Sequence, residues 1–478
     1  MTSSEPHDVS IAELARRLRT GELSPMTLTE ALLARIADLD GTLGAFQLVS
    51  ADRARAAARA AEIDLAAGRD LGPLHGIPYA VKDLFDVRGL PTAAGSRLLV
   101  DNVASADAAV VARLARAGMI LLGKTKTVQF AYGGAGLNHD LGTPHNPWSR
   151  VPRLPGGSSS GSGVAVAAGL APAALGTDTG GSVRIPAALC GVTGLKTTVG
   201  QVSRAGVYPL SWSLDSVGVL TQCVEDAALL YQAMRGSDPG DDTTHGRPPQ
   251  DVMRGLGDGV EGLRIGIAET VFWDEADPEV SSAVRAAAKE LVALGAQVRS
   301  MEFPAAADAL ALNARGLVIA AEAYTVNRRF IEEHYDELDP IVASRMIQGR
   351  DVSAADYLQT TLDWKRLRQE AVGQLRDVEA VLCPTTPLAA CTLAEADGDM
   401  DSYLRKNFLY LRNTAIGNIL DLCGLSVPCG LTGGGLPVGL MIYGRPFSED
   451  TVLRVGQAYQ QATGWHRRRP DLKWVGSG

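Results

Sequence analysis

Between Gly133 and Gly206 glycine and serine crowd the chain, yet apolar segments interleave with them, so this stretch does not read as a flexible linker. A folded Gly-rich segment brings backbone close to something, because residues without bulky side chains permit that approach. Its centre is "GTDTGGSVRIPA", Gly176 to Ala187, where Ser182 follows two glycines with no histidine nearby. If Ser182 is a nucleophile, another group must take its proton.

Around this block helices and strands alternate. "LHGIPYAVKDLF" reads as a short apolar strand ending in a charged pair, and "MILLGKT" as a second buried strand after the helix "DAAVVARLARAG". Further on, "LRIGIAE", a helix from Pro278 to Leu294 and "AQVRSMEF" form a strand-helix-strand unit. Such alternation favours α/β architecture. The N-terminal part reads as helices: "SIAELARRLRTGEL" is amphipathic, Ser24 and Pro25 suit an N-cap and first turn, and an Ala/Arg-rich helix fits Ala51 to Ala67. Ala309 to Tyr410 reads as helical, and Gly236 to Gly262, with its Pro, Gly and Asp clusters, as a linker. A length of 478 residues allows two to four units or one large α/β enzyme. The organisation expected is a helical segment 1–70 packed on an α/β core 71–478, with residues 300–410 forming a helical substrate-pocket region.

Charge and composition exclude several classes. A net charge of -9 argues against an extended phosphate-binding surface, and the one basic cluster, His466 to Arg469, reads as a solvated end. No nucleic-acid partner is expected. The polar start "MTSSEPHDVS" lacks the order of a signal peptide, and the apolar run Val164 to Leu175 is too short to span a bilayer. A cytoplasmic protein with no membrane partner is expected. The six cysteines form no CxxC pair and the seven histidines no metal-ligand spacing, so neither metal nor cofactor is expected.

Two generic motifs compete for attention. "GMILLGKT", Gly118 to Thr125, fits the GxxxxGK[ST] phosphate-loop pattern, which would make the chain a nucleotide-binding protein. That loop needs a strand before it and a pliable turn within it, whereas here a helix precedes and Met-Ile-Leu-Leu fills the turn. "GSSSG", Gly157 to Gly161, fits the GxSxG elbow around Ser159, but two prolines in "RVPRLPG" make a poor preceding strand. The Ser182 turn is the better site, since consecutive small residues let backbone N–H groups point inward together, as an oxyanion hole requires.

Ser182, Lys82 in "GIPYAVKDLF" and Ser158 in "PGGSSSGSGVAVAAG" together resemble the amidase signature family. The resemblance extends from about Ile11 to about Trp465 through "GPLHGIPYAVKDLFDVRGLPTAAGS", "GTPHNPW", "GVTGLKTTVGQVSRAGV", "VLCPTTP" and "SVPCGLTGGGLPVGLMIYGRPF". Thr197 stands where the family often has proline, and "NILDLCG", Asn418 to Gly424, replaces a more usual Gly-x-Pro. The resemblance implies the amidase signature fold, a large mixed central β-sheet covered by helices on both faces. It implies Ser182 as nucleophile, Ser158 as bridge held by a cis Gly157–Ser158 peptide, and Lys82 as base. For a lysine to serve so, its ordinary pKa of about 10.4 must fall through burial. Asp83 follows Lys82, and strand alternation would turn it to the opposite face.

The other expected site residues are Thr179, Gly180 and Gly181 as oxyanion-hole donors and Asp178 and Arg184 as the groups locking the loop. Tyr132, Trp148, Trp212 and Phe330 are candidate pocket aromatics. The implied function is hydrolysis of small aryl or apolar amides, anilides and carbamates through an acyl-enzyme, by a stand-alone chain. A homodimer is compatible with this reading. A glutaminase subunit of a transfer-RNA amidotransferase complex is the second reading, and a phosphate-loop protein the third.

Overall fold

Most strands of this chain are buried on both sides, which is why their sequences read as unbroken hydrophobic stretches rather than alternating ones. In the computed structural model, which describes residues 5–247 and 250–476, they assemble into one 11-stranded sheet. The first half of the chain supplies β1 (Phe46–Val49), β2 (Pro78–Lys82), β3 (Ile120–Thr125), β4 (Ala173–Asp178), β5 (Thr193–Lys196) and β6 (Ser216–Thr221). The second half supplies β7 (Arg264–Ala268), β8 (Gln297–Met301), β9 (Ala380–Pro384), β10 (Cys423–Leu431) and β11 (Pro437–Gly444). Their order is β1-β3-β2-β4-β6-β5-β10-β11-β9-β7-β8. β2 pairs in parallel with β3 and β4, and β7 with β8 and β9, while β4–β6, β5–β10 and β10–β11 are antiparallel. The expected α/β architecture with a large mixed sheet is thus the one found.

Strand alternation distributes β9 and β11 between two cores. Leu382, Leu440 and Ile442 join the main hydrophobic cluster, whereas Val381, Cys383, Met441 and Tyr443 join a second one with Phe272, Phe303 and Trp364. Helices cover both faces accordingly. On one side of β11, Gly439 leaves room for Ala188 of the helix Arg184–Cys190; on the other, Gly456 of the helix Glu449–Thr463 meets Leu425 and Ile442. Pro428, which cannot donate to a ladder, sits where the β10–β11 register shifts.

The N-terminal helices form where expected. Ser10 caps Ile11–Thr20 by accepting from Glu13 N, and Ser24 caps Pro25–Leu43 by accepting from Thr27 N, with Pro25 in the first turn. The third helix spans Ala51–Ala66. Between the second and third lies β1, an edge strand the sequence pattern did not mark, because its four residues show no buried run. Ala309–Tyr410 is corrected too: its helices are interrupted by β9, whose run Ala-Val-Leu-Cys-Pro is too short for periodicity to separate strand from buried helix. The linker proposed over 236–262 is irregular apart from one turn at Asp242–Thr244; residues 248–249 within it, and 1–4 of the polar N-terminal stretch, lie outside the described residues. Among the described residues no helix is long and apolar enough to cross a membrane.

Candidate active site

Lys82 ends β2 and Thr177 and Asp178 end β4; the two strands are parallel neighbours, so these side chains emerge at one edge of the sheet. Ligands of open α/β sheets gather at such carboxyl ends. Lys82 Nζ lies 2.8 Å from Ser158 Oγ and 2.8 Å from Thr177 Oγ1, and neither Lys82 nor Ser158 is exposed. Burial pulls the lysine down to about 7, although Asp215 and Asp178 act in the opposite sense. A neutral amine is therefore accessible there near neutral pH.

Ser158 precedes the helix Ser160–Ala167, and the Gly157–Ser158 peptide is cis. Its carbonyl accepts from Val128 N, while Gly157 N donates to Gly134 O. Ser159 N donates to Ser182 O, at 3.2 Å, which brings the two serine loops side by side. Ser182 is 4% exposed, and its hydroxyl has no hydrogen-bond partner among the described residues. The serine pair is thus juxtaposed without a closed hydroxyl-to-hydroxyl bond, and catalytic hydrogen bonds commonly tighten only once substrate is present.

The loop before Ser182 is held by Asp178. Its carboxylate accepts from Gly181 N at 2.8 Å and Val183 N at 3.1 Å, and from Arg184 Nε and Nη2 at 3.0 and 2.9 Å. Burial alone would raise its pKa, but Arg184 outweighs that and holds the group well below the usual carboxylate range. Asn418 and Tyr443 complete the lock by accepting from Arg184 at 2.7 and 2.9 Å. A side chain at Gly181, where φ is +137°, would run into Thr414 Oγ1. The Gly181 N–H is therefore committed to Asp178 and is a turn-former rather than a free donor. The N–H groups of Thr179, Gly180 and Ser182 have no partner among the described residues. Thr179 Oγ1 donates to Asp215 Oδ1 at 2.5 Å, and Asp215 in turn accepts from Leu210 N and Ser211 N.

The pocket aromatics divide. Tyr132 is buried beside Gly133 and Gly134, under the Arg345 guanidinium, which lies 4.1 Å from its ring centroid and donates to its carbonyl at 2.8 Å. Trp212 is 55% exposed and lines a cavity of about 380 Å³ together with Thr177, Asp215 and Ser216. Phe330 stacks on Phe130 with centroids 5.8 Å apart. Trp148 goes elsewhere: its indole donates to Cys190 O at the far end of the helix Arg184–Cys190, so it packs against the scaffold and not at the serines. Thr177, Asp215, Asn418 and Tyr443 escaped the sequence reading. Thr177 alone had a visible signal, since its place two residues before Thr179 in the strand-end run "GTDTGGS" puts it on the face opposite Asp178. Lys124 lies within β3, fully buried, so the phosphate-loop match has no loop around its lysine.

The amidase family model matches residues 27–453. A 2-amino-5-chloromuconic acid deaminase of Comamonas testosteroni is 40% identical over 457 residues, covering 95% of this chain and 96% of that protein. A glutamyl-tRNA(Gln) amidotransferase subunit from Roseiflexus sp. (strain RS-1) is 40% identical over 492 residues, covering 98% and 99%. The solved structure of the native peptide amidase from Stenotrophomonas maltophilia superposes with a TM-score of 0.84 at 32% identity, covering 98% of this chain and 99% of that one. With a mixed sheet that presents a buried lysine and two serine loops at one edge, and with relatives aligned end to end, the chain belongs to the amidase (amidase-signature) family, hydrolases of amide C–N bonds.

Proposed function

We propose that the chain cleaves small amides through an acyl-enzyme on Ser182, with Ser158 as proton bridge and Lys82 as base. The observation that carries this reading is the buried Lys82 Nζ, drawn down to about 7 and 2.8 Å from Ser158 Oγ. Ser182 Oγ attacks the carbonyl carbon while its proton passes to Ser158, and that of Ser158 to Lys82. The oxyanion is met by the N–H groups of Thr179, Gly180 and Ser182, preorganised by the Asp178–Arg184 lock. As the C–N bond breaks, the lysine's proton returns through Ser158 to the leaving nitrogen. Water then attacks the ester, giving its proton to the same relay and freeing the acid and Ser182.

The substrates proposed are amides and anilides with an aryl or apolar acyl group, with carbamates next. Apolar surroundings support this: Leu411 and Ile185 are the side chains closest to Gly134, and Leu411 also lies against Gly180. A cytoplasmic setting is consistent with six buried, unbridged cysteines. The amidotransferase reading stands second, favoured by the 40% identity to a component of such a complex. Hydrolysis of a chromogenic anilide by the purified chain separates the two. Amine release by wild type and none by Ser182→Ala is expected. Glutaminase activity that appears only with partner subunits, and no release from anilides, amides or carbamates by the chain alone, would favour the second reading.

A further inference from the structure

Directly behind Lys82 lies a second buried lysine that the chemistry above does not use. In the parallel β2–β3 register Lys82 sits opposite Thr125 and Val81 opposite Lys124, so Lys82 and Lys124 project to opposite faces of the sheet. Thr125 Oγ1 meets Ser162 Oγ of the helix that follows Ser158, on the Lys82 face. On the other face Lys124 Nζ lies 2.7 Å from Asp83 Oδ1, and it donates to Pro91 O at 2.6 Å and Thr92 Oγ1 at 2.9 Å. Asp83 Oδ2 accepts from Ala93 N at 3.2 Å. Lys124 and Asp83 are thus buried together, Asp83 directly following Lys82 in sequence, and strap the end of β2 to the segment 91–93.

We propose that the Asp83–Lys124 pair is a positioning element for the reaction: it pins the end of β2 and cancels its own charge behind Lys82, so that the groups in front alone set when Lys82 is a base. This rests on the reading of Lys82 as the base. The groups facing Lys82 are Ser158 and Thr177, and the charges of Asp215 and Asp178 are also felt there; those facing the pair are Asp86 and Thr92. An uncompensated ion behind the strand would be felt at Lys82, since charges interact strongly across a poorly polarisable interior. Left alone, the Lys124 ammonium would disfavour a second cation and the Asp83 carboxylate would favour one. Burial pushes Asp83 up to about 6 against the pull of Lys124, so the pair is charged while the enzyme works near neutral pH.

The acidic limb of the pH–rate profile reads this directly. Asp83→Asn leaves Lys124 without its counter-ion, and the limb should move to lower pH by about half a unit. Lys124→Met removes the pull that keeps Asp83 ionised, so its carboxylate takes up a proton and the limb should stay near the wild-type position. The double variant should return the limb of Asp83→Asn to that position, which a purely structural loss would not do. A limb that stays in place in Asp83→Asn, or a double variant that shifts with it, overturns the proposal; Asp83→Ser replaces Asp83→Asn if that variant fails to fold. Lys82→Met separates this from the underlying reading: full activity with an unchanged profile there would remove Lys82 as base, whereas an inactive Lys82→Met with an unmoved limb in Asp83→Asn would sink this inference alone.

Discussion

A serine hydroxyl at ordinary pKa attacks nothing, so at the scale of single residues the question is what makes Lys82 willing to accept a proton. Desolvation does most of it, but an amine stripped of water still needs acceptors for its hydrogens, and Thr177 Oγ1, at 2.8 Å, supplies one. A hydrogen bond from an ammonium stabilises the charged form, so Thr177 holds Lys82 in place and raises its pKa at once. Thr177→Val should therefore lower turnover by misplacing the amine and move the acidic limb downward from about 7, while Thr177→Ser should restore both. Hydrogen bonds to charged groups contribute about 1.5–3 kcal/mol, which sets an upper bound of one to two pH units on the shift. Steady-state pH profiles of the three proteins check it; a Val variant with a wild-type limb would exclude this role. The same scale explains the Asp178–Arg184 lock. Both groups are fully buried, and removing Arg184 would strand a carboxylate at a cost of about 3–5 kcal/mol, which is why the loop before Ser182 is rigid.

At the scale of elements, the site is accurate because the helix Arg184–Cys190, which starts two residues after Ser182, lies directly on β11. A Cβ at Gly439 would come within 2.6 Å of Ala188 Cβ and 3.0 Å of its Cα, so the backbone of that helix would have to lift. On the opposite face a Cβ at Gly456 would meet Leu425 Cδ2 at 2.4 Å, the end of a flexible side chain. Overpacking costs about 1–3 kcal/mol in either case. Gly439→Ala should lower turnover well beyond its loss in urea midpoint, and Gly456→Ala should lose stability with turnover largely kept; equal turnover in the two would contradict this coupling. Much of this architecture was legible in the sequence. The amphipathic first helix, the capped helix at Ser24, the buried strands around Lys82 and Lys124, and the strand-helix-strand unit at 264–301 each announce themselves by local pattern. So did the Gly-rich turn and the residues flanking Ser182. What remained hidden depends on distant partners: β1 pairs with β3 across more than seventy residues, Asn418 reaches Asp178 from 240 positions away, and Trp148 is diverted to a helix end by one carbonyl. Local periodicity carries no information about such meetings.

At the scale of the whole molecule, sections far apart in sequence are held over the site by a small number of polar clamps, and the one at His139 is sensitive to pH. Its Nδ1 lies 2.9 Å from Asp339 and its Nε2 2.8 Å from Asp397. Two carboxylates on both ring nitrogens require the doubly protonated imidazolium, because a neutral ring would turn a lone pair toward one of them. The hydrogen bond to Asp339 accordingly raises the histidine, against burial, to about 9. Asp339 also caps the helix Pro340–Met346 and donates its N–H to Gln129, so the clamp joins the loop leading to Gly133 and Gly134 with the helix that carries Arg345. The folded-state pKa lies above the ordinary histidine value near 6.5, so this stabilisation is complete below that value and disappears as pH climbs through about 9. The ring is 35% exposed, which screens the effect, so the expected change is small: the apparent Tm should fall by ~1–2 °C more between pH 7 and 9.5 in wild type than in His139→Gln. Thermal melts of the two proteins across that range decide it. Parallel curves would mean that the imidazolium contributes nothing to holding the site together, and a gap that narrows as pH rises would mean that its charge does.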